Sequence, residues 1–276
     1  MWVWLSLKLT EGNKMVKNFQ LPKFGLDEYT NLLNQFINAG YQFQPVSQMC
    51  KNAQVRVVYL RHDVDLHIDL VSAMALVEKD LNVSATYFVP LTRHFNLLYP
   101  ANQQIMRRLV DMGHEIGLHY DMEAYPLDPA DARRHLDWEV GVLSKAVGSP
   151  IHTICLHNPY KGQPDPFRQI DEYVHPHDPR CQEELLYVSD SCRAWRDENL
   201  LTCFGPNPPR RLLLNTHPEL WLDGTVRDRI EYLNGVLTDN ILREYRDVLE
   251  NTRNGWLNHP AAKLHDERQR NIKPHS

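Results

Sequence analysis

Asp63 and Asp65 stand in the run Arg61-His62-Asp63-Val64-Asp65, which closes an apolar, β-branched stretch. Alternate side chains of an extended strand share a face, so this spacing sets two carboxylates side by side. Two anions that close repel each other unless a cation or a proton sits between them. One reading is a metal or acid–base site. The other is that Asp65 caps a following helix while Asp63 pairs with Arg61. A second polar run, Gly113-His114-Glu115-Ile116-Gly117-Leu118-His119-Tyr120-Asp121-Met122-Glu123, sets an imidazole four residues before a carboxylate. If the chain turns helical after His119, these two converge on one ion. Taken alone, such a pair is an ordinary surface neighbour pair. Histidines also emerge from apolar runs in Leu156-His157-Asn158-Pro159 and Leu214-Asn215-Thr216-His217-Pro218, and between them lies Asp190-Ser191-Cys192-Arg193-Ala194-Trp195.

The elements around these residues alternate. Apolar residues Tyr29, Leu32, Leu33, Phe36 and Ile37 form one stripe of a helix over Leu26 to Ala39, stopped by Gly40. A strand over Val55 to Asp65 leads into a helix with Leu70, Met74, Val77 and Leu81 at the 3.6 period. There follow a strand Ala85 to Val89, a helix Asn102 to Met112, a strand Glu115 to His119, a helix carrying Leu136, Val140, Leu143 and Val147, and a strand Ile151 to His157. Asn158 to Glu184 holds five prolines and many charges, which reads as a long loop of the kind that covers a cleft. Strands resume at Leu185 to Ser189 and Arg211 to Thr216, and Ile230, Leu233, Leu237 and Ile241 mark a last helix. Strands alternating with helices predict a mainly parallel α/β sheet, doubly wound or closed as a barrel, with polar residues gathered at the strands' carboxyl ends. The expected organisation is an N-terminal segment and helix over 1–50, the α/β body over 51–256 and a polar tail over 257–276.

The 276 residues suit one such domain, and the net charge of −5 gives no basic footprint for nucleic acid. Five cysteines, odd in number and without a CxxC, suggest a reducing compartment rather than a disulfide framework. The apolar opening Met1 to Leu7 lacks a basic leader and is interrupted by Lys8, Glu11 and Lys14. No apolar run reaches spanning length, so a cytoplasmic location is expected and residues 1–14 read as dispensable.

From about Val55 to Trp221, the order and spacing of these runs resemble the polysaccharide deacetylase family, the NodB-homology or family-four carbohydrate esterases. Arg61-His62-Asp63-Val64-Asp65 resembles its first motif, Gly113 to His119 its second, Asp190-Ser191 with Trp195 its fourth, and Leu214 to Pro218 its fifth. The resemblance implies a distorted, incomplete (β/α) barrel of mainly parallel strands. It implies Asp63 as catalytic base, Asp65 and His119 as metal ligands, and His217 as acid, with Asp190 orienting it. More narrowly, the first motif with a glutamate four after His119 resembles members associated with bacterial surface-polysaccharide biosynthesis, such as O-antigen or capsule.

Two positions depart from the family. Glu123 stands where the second metal-binding histidine is expected, giving a ligand set of Asp65, His119 and Glu123 for one divalent ion, with Zn, Fe, Mn and Ni all admissible. His157-Asn158-Pro159 stands where an arginine would orient the base, leaving Arg61 and Arg193 as the available cations. Trp195, Tyr120 and Trp221 are aromatic candidates for stacking on a sugar, although aromatic residues are more often core. Asn158 and Arg193 complete the expected substrate contacts. The reaction implied is hydrolysis of an N-acetyl or N-formyl amide on an amino sugar, carried as a sugar nucleotide, a lipid-linked intermediate or a polymer. The alternative is a catalytically altered protein of this fold that binds carbohydrate or scaffolds other enzymes. His175 to Cys181 contains further metal-type donors, at spacings that match no standard zinc motif.

Overall fold

The computed structural model describes residues 23–258, except 52–54, 67, 93–94, 158–163, 194, 196–198, 223 and 225–227. Contacts divide the chain into two units, Met1–Thr225 and Val226–Ser276. The expectations for residues 1–14 and for the tail beyond 258 fall outside the described residues.

The first unit alternates strand and helix as its periodicity predicts. The elements are α1 (Leu26–Asn38), β1 (Gln42–Gln44), β2 (Val57–Asp63), α2 (Ser72–Asp80), β3 (Thr86–Val89), α3 (Pro100–Asp111), β4 (Glu115–Tyr120), α4 (Pro129–Val147), β5 (Ile154–Leu156), β6 (Leu185–Ser189), α5 (Asn199–Thr202) and β7 (Arg211–Thr216). All pairings are parallel, in the order β5-β4-β3-β2-β7-β6, and β1 adds to the first residues of β2. The result is a curled half-barrel of six parallel strands, the distorted and incomplete (β/α) barrel expected. Helix ends follow local chemistry. Asp128 caps α4 through the backbone N–H groups of Ala130 and Asp131, and Gly148 ends it at φ 79°, a left-handed conformation that costs glycine little. The described part of the second unit is one helix, α6 (Arg229–Asn258).

The interior is filled by one face of the strands. Val57, Tyr59, Phe88, Cys155 and Leu213 pack there with Val46, Met49 and Cys181. A side chain at Gly117 would meet Phe88 and Thr153 at 2.6 and 2.5 Å, so β4 passes the interior ring of Phe88 only because this residue has no Cβ. The opposite face of β2 carries His62, whose Nε2 lies 2.8 Å from the fully buried Glu78. Glu78 also accepts from the hydroxyls of Tyr29 (2.5 Å) and Tyr87 (2.8 Å). Burial raises the Glu78 carboxyl, yet His62, His114 and these donors outweigh it and hold the group below its ordinary value. A buried charge with every neighbour arranged for it ties α1, α2, β2 and β3 together.

One expectation is corrected. Cys50 and Cys181 form a disulfide across 131 residues, with Cα atoms 4.8 Å apart. Neither sits in a short-range cysteine motif. The segment 164–184 folds back against the chain after β1, and only this long-range approach brings the pair together. The cysteines therefore no longer argue for a reducing compartment. Cys155 and Cys203 are free and buried.

The segment 164–184 spans the seam between β5 and β6. Val174 bridges Thr153 beside β5, the Asp165 carboxylate accepts from the Tyr120 hydroxyl, and His177 packs edge-on against Tyr187 of β6 at 5.2 Å.

Candidate metal and acid–base site

The carboxyl ends of β2, β4, β5, β6 and β7 deliver polar groups to a common point, two from β2 and one from each of the others, where parallel α/β sheets collect their ligands. Asp63 is the last residue of β2 and Asp65 lies two residues on; His119 lies in β4, His157 just beyond β5, Asp190 just beyond β6 and His217 just beyond β7.

Asp65, His119 and His157 each present one donor atom within 4.8 Å of the others. Asp65 Oδ1 is 3.2 Å from His157 Nδ1 and 3.6 Å from His119 Nε2, and the two ring nitrogens are 3.3 Å apart. Bonds of about 2.1 Å to a tetrahedral ion set its ligands about 3.4 Å apart, so the three atoms lie at the spacing that one ion requires. Asp65 Oδ1 is buried and has no hydrogen bond among the described residues. His119 Nδ1 lies 3.0 Å from the Cys155 carbonyl, which fixes the proton there and turns a bare Nε2 to the site. Burial lowers the pKa of His119, with Asp63 and Asp65 opposing, which favours the neutral imidazole that ligates metals. Burial raises the Asp65 carboxyl, but His157, His119 and His217 bring it below its ordinary value. One carboxylate and two imidazoles suit Zn, Fe, Mn or Ni.

Glu123 is not in this group. β4 ends at Tyr120, Asp121 caps a short 3-10 turn over Met122–Ala124, and Glu123 sits on that turn, exposed. The chain after His119 does not form the helical turn that would bring Glu123 onto it, so the structure does not bring Glu123 together with Asp65 and His119, and the third donor beside them is His157. The signal for His157 was in the sequence, as a histidine leaving an apolar strand.

Asp63 is held by a fork. Arg61 Nη2 donates to Oδ2 at 2.6 Å and Nε to Oδ1 at 3.1 Å, and Asn215 Nδ2 donates to Oδ2 at 3.1 Å. Burial raises this carboxyl, but the Arg61 guanidinium, with His119 and His217, outweighs it and holds the group well below the usual carboxylate range. Of the two cations the sequence offers for Asp63, Arg61 is the one beside it, on the same strand and two residues before it. Arg193 lies elsewhere, with its guanidinium 5.4 Å from the centre of the Phe24 ring.

His217 stands opposite. Its Nδ1 is 2.6 Å from Asp190 Oδ1, and its backbone N–H donates to Asp190 Oδ2 at 3.0 Å. Trp221 Nε1 donates to the same Oδ2 at 2.7 Å. Burial lowers the imidazole pKa, but the Asp190 charge and hydrogen bond outweigh it and hold it well above the ordinary value, which favours the protonated imidazolium. Its Nε2 faces Asp65 Oδ2 at 3.9 Å and Asp63 Oδ2 at 4.0 Å. Glu219, two residues on, is also buried, and burial pushes its carboxyl up to about 8.

The aromatic candidates fare differently. Tyr120 is fully buried with its hydroxyl bound to Asp165, and Trp221 is fully buried with its indole committed to Asp190, so neither offers a face to a sugar. Trp195 is half-buried, stacked 6.2 Å from Phe24 and edge-on to Trp221 at 6.0 Å. Asn158 lies outside the described residues. The donors foreseen over His175–Cys181 divide between uses: Cys181 is in the disulfide, Asp178 is paired with Arg180 at 2.7 Å, and His175 lies 3.3 Å from Asp165.

No protein-family model matches the sequence, and no curated protein does. Solved structures do. The fold is similar to the peptidoglycan deacetylase PdaC from Bacillus subtilis, at TM-score 0.42 and 16% identity over 73% of this chain and 98% of that one. It is similar to a family 4 carbohydrate esterase from Bacillus anthracis, at 0.40 and 18% over 79% and 86%. A family 4 pseudoenzyme from the same organism is similar at 0.40 and 17%, over 68% and 61%. These neighbours are family-four carbohydrate esterases and deacetylases. At such scores the likeness lends no weight of its own to a reaction, which rests on the side chains above.

Proposed function

We propose that this chain is a metal-dependent amide hydrolase of the polysaccharide deacetylase kind, which removes a small acyl group from the nitrogen of an amino sugar. The observation that carries the reading is the convergence of three groups on one point: an ion-spaced donor set, an ionised base held by an arginine fork, and a protonated acid facing both.

A divalent ion held by Asp65, His119 and His157 would supply Lewis acidity toward the acyl carbonyl and acidify a water. Asp63 accepts the proton of the attacking water, and Arg61 with Asn215 holds the carboxylate in the orientation this needs. His217 Nε2 donates a proton to the leaving nitrogen. That donation matters for an amide, because an amine leaves poorly until protonated. Asp190 keeps the proton available on His217, and Trp221 holds Asp190.

The substrate carrier proposed from the sequence is a sugar nucleotide or lipid-linked intermediate in surface-polysaccharide synthesis. A cytoplasmic location belongs to the same proposal, and alkylation trapping of Cys50 and Cys181 in cells would test it, since an oxidised pair argues against that compartment. Among the described residues no helix is long and apolar enough to cross a membrane.

The test is acetate or formate release from N-acylated amino sugars by the metal-loaded protein. Asp63→Asn and His217→Ala should each lower the rate about 100-fold or more. A wild-type protein that binds such sugars but releases no acid would favour the carbohydrate-binding alternative.

A further inference from the structure

The interior face of β6 carries an aromatic ring where a barrel would normally be filled. Tyr187 pairs in register with Leu213 of β7, which pairs with Tyr59 of β2. Residues in register share a face, so Tyr187 points the same way as two side chains of the sealed core. Leu213 and Tyr59 are fully buried, yet Tyr187 is 38% exposed. Solvent therefore reaches one side of the barrel interior at the level of Tyr187, two residues below the carboxyl end of β6.

That exposed ring is wired to the base. Asn215 Nδ2 lies 3.1 Å from Asp63 Oδ2 and donates at 3.3 Å to the Tyr187 hydroxyl oxygen. A phenol oxygen that accepts from the amide keeps its own O–H free to donate. His177 closes the other side of the ring, edge-on at 5.2 Å. Its two ring nitrogens make no hydrogen bond among the described residues, and the side chain is partly exposed. Burial and the nearby Arg61 charge lower its pKa to about 4, so at neutral pH it offers one donor and one acceptor. An exposed aromatic face beside a free phenol donor and a neutral imidazole is a surface that suits a pyranose, with apolar C–H groups on one side and hydroxyls at its rim.

We propose that Tyr187 and His177 form the wall of the cleft on the base side and bind the sugar ring of the N-acylated substrate, the Tyr187 hydroxyl donating to a substrate oxygen. This rests on the deacylase reading and names the residues that select its saccharide. It also gives the segment 164–184 a purpose beyond closing the seam, because that segment places His177.

The experiment compares wild type, Tyr187→Phe, Tyr187→Ala and His177→Ala, all zinc-loaded, with an N-acetylated chito-oligosaccharide as probe. Acetate release is measured, and binding of the same probe by calorimetry. Unchanged melting temperature and zinc content in Tyr187→Phe establish that the fold and metal site survive. Loss of one hydroxyl donor should raise KM about threefold to tenfold. Loss of the ring should raise it more, with kcat changing by a smaller factor in both. If wild type releases acetate and both tyrosine variants keep its KM, the inference is overturned and the deacylase reading stands. If wild type releases none, the reading fails, and calorimetry alone decides the wall: weaker binding in Tyr187→Ala upholds it, while equal binding or none overturns it.

Discussion

Arg61→Gln removes the guanidinium fork while leaving Asp63 in place, and its cost can be worked from the geometry. Both partners are nearly sealed from solvent, at 3% and 7% side-chain exposure. Stripping one partner from a buried pair leaves the other charge uncompensated, which costs about 3–5 kcal/mol. Asn215 still donates to Asp63, so the lower figure, about 3 kcal/mol, is expected. In a body of this size that corresponds to a melting temperature lowered by roughly 6–12 °C. The same loss acts on the base. Asp63 is held far below its reference value of 3.8 because Arg61 overcomes burial; with Arg61 gone, burial dominates and the carboxyl rises. About 3 kcal/mol corresponds to about two pKa units, so the acid limb of kcat/KM should move up by about that much. The sign of the stability effect is also fixed. A carboxylate with a depressed folded pKa contributes stability that is present above its unfolded value and lost as pH falls through its folded one. The deficit of Arg61→Gln relative to wild type should therefore be full at pH 7 and shrink in strong acid. Urea denaturation at pH 7 measures it. A deficit under about 0.5 kcal/mol at pH 7 would refute the account of how Asp63 is held.

Glu139, buried in α4 against the Tyr125 hydroxyl, has its carboxyl pushed from 4.5 up to about 7 by burial. A raised carboxyl weakens the fold as pH climbs from 4.5 to 7, by up to about 3 kcal/mol, so Glu139→Gln should flatten that pH dependence and stabilise the protein at pH 8 by urea titration. Reducing the Cys50–Cys181 disulfide opens a loop of 131 residues, for which chain entropy gives a loss of up to about 5 kcal/mol. The urea midpoint should fall on adding dithiothreitol in wild type and not in Cys181→Ser; equal responses would show that the bond does not form.

Much of the site was legible because it depends on local rules. Period-two alternation places Arg61 and Asp63 on one side of β2, with Asp65 two residues beyond, and that same rule contains the Arg61–Asp63 fork. Alternation also distinguishes His119, which faces inward, from Tyr120, which must face the other way and is buried under Asp165 and Phe167. Reading Tyr120 as a sugar platform ignored that parity. The boundaries of β6 and β7 follow directly from their apolar runs. What could not be read depends on pairing between distant strands. His157 comes beside Asp65 and His119 because β5 pairs with β4 in the register His119↔Cys155, which sets residue 157 just past the end of β5. Cys50 and Cys181 meet only after segment 164–184 has folded back across the seam. Trp221 finds Asp190 through the turn after β7, where sequence distance gives no hint of an indole–carboxylate bond.

The central claim is that Asp65, His119 and His157 hold one divalent ion. Its most direct test is the metal content of the purified, zinc-reconstituted protein beside His157→Ala and Glu123→Ala, measured by elemental analysis with folding checked by circular dichroism. About one equivalent is expected in wild type and in Glu123→Ala, with loss of the metal in a folded His157→Ala. Metal retained without His157 and lost without Glu123 would contradict it.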